Sequence, residues 1–269
     1  ITLSQSWLMS SGPINLWAGG NITLQSNGTA STVVGSGTTM DVVASGLKLL
    51  AGNSAFGSGL VTLEAGGSQT ITIHNGGTLE VRAGNGNNNE AWIHGGGQHI
   101  SFTDGGLLTV YGGGGGNGNI GSIESDSSQI INAPNVDIFL TGGGSGGVLT
   151  GDQINDGSIG AETSQEVYAR NVTIHGGSAT YGGAGFGGGD ADGSLQFFDI
   201  SGNLVMTGGS STNPDPLASP AFIGTEYGGN TVTINVGGSI TLNGGSGAGG
   251  PVLIGSLTDT MGSSNVTIS

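Results

Sequence analysis

The residues best equipped to bind something are the carboxylates. Through the second half of the chain they fall at near-regular intervals: Glu124 with Asp126, Asp152 with Asp156, Asp190 with Asp192, then Glu226 and Asp259. If the interval matches a structural repeat, these side chains line one corner. Like charges about 4.8 Å apart would then repel by roughly 0.9 kcal/mol per neighbouring pair in water. Only three cations (Lys48, Arg82 and Arg170) face eighteen acids, a formal net charge of −15, so side chains cannot neutralise such a row. The expectation is an acidic flank that responds to Ca2+, a hard cation that takes oxygen ligands. The alternative is a set of solvated loop acids screened by salt.

The flank should be strongest at Asp190 and Asp192, within GGGDADGS (187–194), where glycines let carbonyl oxygens turn toward an ion. That stretch partly matches the GGxGxDxUx calcium nonapeptide and the D-x-D-G opening of a calcium loop, but it does not repeat. Catalysis asks for tighter convergence. A polysaccharide lyase or hydrolase needs clustered carboxylates beside Arg or Lys, and Arg82 and Arg170 are far apart in sequence. The four histidines (His74, His94, His99 and His175) fall in different repeats and would have to meet in space to bind a metal. With no cysteine there is no thiolate chemistry and no disulfide.

The elements that must position these groups are short strands between glycine corners. Anchoring on Gly19, Gly52, Gly84, Gly112, Gly142, Gly176, Gly208 and Gly244 gives spacings of 33, 32, 28, 30, 34, 32 and 36 residues. Each unit reads strand, corner, strand, loop, strand, and none has a face long enough to bury alone, so the units must stack. Successive first strands carry inward pairs: Leu47 and Leu49, Leu79 and Val81, Leu108 and Val110, Val136 and Ile138, Val172 and Ile174, Leu204 and Met206, Ile240 and Leu242. Third strands often open on Gln (Gln69, Gln98, Gln129, Gln165), which suits an amide ladder. No window shows helical apolar spacing. Residues 1–45 read as divergent N-terminal turns and 46–269 as the regular array, with GGAGFGGGDADGS (182–194) and SSTNPDPLASP (210–220) as loop insertions.

The last outward position of the first strands gives the column Trp17, Leu50, Arg82, Tyr111, Thr141, His175, Thr207, Asn243. Its apolar and aromatic members, Trp17, Leu50 and Tyr111, suit a partner or a sugar ring. The acidic balance excludes nucleic acid and disfavours anionic membranes. No apolar run is long enough to span a bilayer. A chain that opens on Ile1 reads as a processed protein or a piece of a longer one.

The unit of short strand, GGSG-type loop, A-x-I-G, and a Gln-led or Asn-Val-Thr-Ile strand resembles the β-helical repeats of large bacterial exoproteins of the filamentous-haemagglutinin type, over roughly Gly46 to Ser269. The repeat reads as all-β with three strands per turn and about eight turns, and the resemblance implies a single-stranded right-handed parallel β-helix. The resemblance further implies a non-catalytic adhesive or structural segment of a secreted surface fibre. The terminal strands ITLS and NVTIS, without a charged or helical cap, favour end-to-end self-association, the outward apolar column suits lateral contacts, and cell-surface glycan is a further expected partner. A carbohydrate-active β-helix enzyme is the alternative.

Overall fold

The computed structural model describes residues 1–53, 59–144, 155–179, 181–188, 194–211, 213, 218–225, 229–246, 249–256 and 264–269. Among them are twenty-three strands and no helix, joined in one sheet by parallel pairing and consistent with a β-solenoid. β-Branched and leucine residues alternating with polar ones fit a pleated surface buried on one side. Sixty glycines disfavour helix and permit corners.

Pairing follows three series. One links Thr2–Ser4, Asn21–Gln25, Gly46–Leu50, Thr78–Arg82 and Gly106–Tyr111, then continues through the far halves of Ser128–Thr141 and Ser164–His175 to Leu204–Thr207 and Ile240–Asn243. A second runs from Trp7–Ser10 and Thr32–Ser36 through the near halves of Val61–Ile73 and Ala91–Phe102. It goes on to Gly121–Ser125, Gly157–Ala161, Ala184–Gly188, Ala221–Thr225 and Val252–Ser256. The third starts with Ile14–Trp17 and Met40–Ala44, takes the remaining halves of the long strands, and ends on Leu195–Ile200, Thr231–Val236 and Asn265–Ile268.

The core is a stack of aliphatic columns. Leu47, Leu79, Leu108, Ile138, Val172 and Leu204 follow one another in register, all with no exposed surface. Burying each such side chain contributes about 1.5–3 kcal/mol. The second inward residue of this strand after Ile138 is the buried Leu140, in register with Val110, whereas Val136 pairs with Gly106 two residues earlier. Ile240 and Leu242 depart from the expected burial, at 37% and 49% exposed, because their strand has only Leu204–Thr207 as a neighbour among the described residues.

One strand lies where the sequence suggests loop. Ala184–Gly188 falls inside the expected insertion, and its Phe186 is fully buried edge-on to Phe198, ring centroids 5.1 Å apart. Gly157–Ala161 inserts Ile159 between Ile123 and Phe186 in the same column. The N-terminal register also corrects the glycine anchors. Ile14–Trp17 pairs with Met40–Ala44 in the third series, while Asn21–Gln25 is the true mate of Gly46–Leu50. Corners there lack the long glycine excursion, so the repeat is shorter than the spacing that Gly19 implies.

Candidate functional site

Buried amides bind the interior along the chain axis. Gln98 Nε2 donates to Gln69 Oε1 (3.0 Å), Gln129 to Gln98 (2.8 Å), Gln165 to Gln129 (2.8 Å) and Gln196 to Gln165 (3.1 Å). Each of the three middle glutamines also donates to a backbone carbonyl within its own repeat, of Ile93, Ile123 and Ile159. The ladder expected from four glutamines therefore holds and gains Gln196 as a fifth. Asparagine makes a second ladder that sequence reasoning missed. Gly59 N–H donates to Asn89 Oδ1 (3.2 Å), Asn89 N–H to Asn119 Oδ1 (3.1 Å), and Asn119 N–H to Asn155 Oδ1 (2.9 Å). The signal was present as an Asn two residues before three consecutive second strands (Asn89, Asn119 and Asn155), but glycine-rich loops masked it.

The glycine corners also stack. A Cβ added at Gly84, Gly113, Gly143, Gly177, Gly209 or Gly245 would overlap the carbonyl oxygen of the preceding glycine in that series, starting from Gly52. Beside this spine runs an open groove of about 750 Å3, walled by Thr141, His175 and Thr207 and floored by glycines such as Gly142, Gly176 and Gly208. The wall is the outward column read from sequence: Leu50, Arg82, Tyr111, Thr141, His175, Thr207 and Asn243 are in consecutive register. Leu50 and Tyr111 thus lie in one column, with the Arg82 guanidinium between them and 4.3 Å from the Tyr111 ring centroid. Trp17 does not join them. It stands in register with Val43 on the third series, 69% exposed, its indole N–H donating to Asp41 Oδ2 at 3.0 Å.

All three cations are occupied. Lys48 and Arg82 both meet Glu80, each at 2.9 Å, and Arg170 grips Asp137 through two nitrogens at 2.8 and 2.6 Å. Burial acts to raise the Glu80 pKa, but the hydrogen bonds from Lys48 and Arg82 outweigh it and hold the carboxylate below its ordinary range. Asp137 is lowered chiefly by its hydrogen bond to Arg170.

Of the candidate acids, the three that are described, Glu124, Asp126 and Asp156, do not share one corner. Glu124 lies in register with His94 and Gly160, at the far end of its strand, and Asp126 just beyond it meets His94 Nε2 at 2.8 Å. Asp156 precedes Gly157, which pairs with Gly121, so it sits at the opposite end of the same series. The sequence spacing could not separate the two ends of a five-residue strand. Asp152, Asp190, Asp192, Glu226 and Asp259 lie outside the described residues. Among the described residues no three His, Asp or Glu side chains come together as a metal set, and His74, His94, His99 and His175 are dispersed over separate columns and a corner.

Asp156 has its own chemistry. Burial pushes its pKa up to about 7, against a 2.6 Å hydrogen bond from the Gly183 N–H that favours the charged form. A folded-state pKa above the unfolded value stabilises the fold at low pH. That contribution falls away as pH climbs from about 4 to about 7 and is flat above. Sealed burial would make the loss about 4 kcal/mol, and a half-buried residue should lose about 2 kcal/mol. Asp156→Asn keeps an oxygen for Gly183, so urea midpoints between pH 4 and 8 should lose this downward slope and the variant should be the more stable protein at pH 8.

No family model matches the chain, nor does any curated protein or solved structure.

Proposed function

We propose that this chain is a structural and adhesive segment of a secreted bacterial surface fibre, wound as a right-handed parallel β-helix with three strands per coil. The pairing series supports this winding, with eight coil-to-coil steps in each. Right-handed connection of parallel strands is the general rule. At about 4.8 Å per step the rod is roughly 38 Å long.

The observation that carries the reading is where the polar chemistry goes. Amide ladders hold coil to coil, every Lys and Arg is paired with a neighbouring carboxylate, and the groove extends along several repeats instead of gathering reactive groups in one. An extended chain of neutral sugars fits such a groove, with the Leu50, Arg82 and Tyr111 stretch continuing its wall. Self-association belongs to the same reading, since Trp7, Met9 and Trp17 are 73%, 60% and 69% exposed. No helix among the described residues is long and apolar enough to cross a membrane.

Incubation with a panel of neutral and acidic polysaccharides tests the proposal. Retention without release of unsaturated or reducing ends is expected, weakened several-fold by Thr207→Trp in the groove wall. Release of sugar fragments would establish the carbohydrate-active alternative instead. Light scattering across a concentration series should show association, and a monomer at every concentration would remove that part of the proposal.

A further inference from the structure

The outward face of the third series carries a patch that is both apolar and acidic, spread over three consecutive layers. Ile130, Glu166 and Phe197 follow one another in register, and beside them run Asn132, Tyr168 and Asp199. Phe197 therefore lies next to Glu166 and Asp199 next to Tyr168, so two rings and two carboxylates alternate around the corners of a rectangle. Leu195, 57% exposed and two residues before Phe197, and Ile130, 37% exposed, extend the apolar part. The rings of Tyr168 and Phe197 are half-buried, with centroids 5.9 Å apart and planes tilted by 57°, while both carboxylates are exposed. The Tyr168 hydroxyl donates to Glu166 Oε2 at 3.0 Å and holds that carboxylate beside its ring. This bond chiefly, with the charge of Asp199 contributing, pushes the Tyr168 pKa up.

No Lys or Arg of the chain serves this patch. Lys48 and Arg82 are held by Glu80, and Arg170, two residues beyond Tyr168, turns to Asp137 in the preceding layer. The chain itself shows what completes such surroundings. On the first series the Arg82 guanidinium lies 4.3 Å from the Tyr111 ring centroid while its Nε donates to Glu80 Oε1 at 2.9 Å. A planar guanidinium stacks on an aromatic face and donates to carboxylates at its edge in one placement, which an ammonium cannot match. Tyr168, Phe197, Glu166 and Asp199 offer the same combination of ring and carboxylate without the arginine. A second copy is a poor occupant, because it would bring another formal charge of −15 toward two carboxylates.

We propose that this face is a docking surface for a basic polypeptide, which seats an arginine side chain against Tyr168 and Phe197 within reach of Glu166 and Asp199. The surface is separate from the groove walled by Thr207, which belongs to the first series. Thr207→Trp should therefore leave it intact.

The test is fluorescence anisotropy of labelled hexa-arginine and hexa-lysine peptides titrated with the whole chain, in low salt and at about 0.15 M sodium chloride, where the Debye length is about 8 Å. Saturable binding of the arginine peptide that persists at the higher salt is expected, several-fold tighter than that of the lysine peptide. Tyr168→Ser leaves the net charge unchanged and should weaken arginine binding about fivefold or more. Asp199→Asn, at an exposed position, should act in the same direction and serves if Tyr168→Ser does not fold. Glu64→Gln removes an equal charge from an exposed second-series position in register with His94 and should have no effect. Equal affinity for the two peptides, or binding that vanishes at the higher salt, is diffuse attraction to an acidic surface and overturns the proposal. So does arginine binding that both Tyr168→Ser and Asp199→Asn retain in full. Self-association that Tyr168→Ser abolishes while peptide binding stays unchanged assigns the face to a second copy, and that result overturns it too.

Discussion

Gly177→Ala should destabilise the protein by about 3 kcal/mol or more, the scale of severe overpacking in a core that cannot relax. The added methyl would run into the carbonyl oxygen of Gly143 and crowd the backbone of Gly142. That oxygen cannot simply move aside, because it accepts the N–H groups of Ser178 (3.0 Å) and Ala179 (3.2 Å). At this corner the position a Cβ would take points along the stacking axis toward the preceding layer. Gly144→Ala is the control, since among the described residues its new Cβ would meet nothing nearer than 3.8 Å, and it should change stability by no more than about 0.5 kcal/mol. Urea midpoints of the two variants give the comparison. In a stacked array the damage belongs to the neighbouring layers, so Gly177→Ala should also broaden the transition instead of only shifting it.

Gln129→Leu should cost about 3 kcal/mol. It removes the 2.8 Å donor to Gln98 Oε1 and the 2.8 Å acceptor of Gln165 Nε2, leaving an unpaired amide oxygen in the core, while Gln165 keeps its bond to the Ile159 carbonyl at 3.3 Å. Orphaned buried groups cost about 1–3 kcal/mol each, and the apolar burial gained by leucine offsets part of the total. Gln196→Leu should cost only about 1 kcal/mol, because its Oε1 is already without a partner and only one ladder bond is lost. Equal midpoints for the two variants would show that the amides act as independent pairs and not as a chain.

The regular part of this fold was legible because its signals are local. Alternation in GLKLLAGN or NVTIHGGS reports one buried face, and a Gln repeated in the same place reports a ladder. Signals carried by the backbone were not legible. In Ala184–Gly188 a single phenylalanine among glycines is a complete core contribution, because neighbouring layers supply the rest of its contacts. Trp17 was placed in the wrong column because Gly19 resembles the corner glycines but follows a third-series strand. Asp156 was grouped with Glu124 and Asp126 for a related reason: position within a strand decides which end a residue occupies, and periodicity alone does not report it. Glu124 and Asp156 are both near second-series strands and on opposite sides of them.

The pairing of every Lys and Arg with a carboxylate bears on how long the protein survives among digestive enzymes. Trypsin cuts after Lys or Arg, and only Lys48, Arg82 and Arg170 offer such bonds in 269 residues. Each lies within a strand, in Gly46–Leu50, Thr78–Arg82 and Ser164–His175. The first two strands have hydrogen-bonded neighbours on both sides. A protease must draw an extended segment of about ten residues into its cleft, so cleavage here has to wait for whole layers to separate. Scarce cations, which leave the surface strongly acidic, therefore also leave trypsin-like enzymes with almost nowhere to begin.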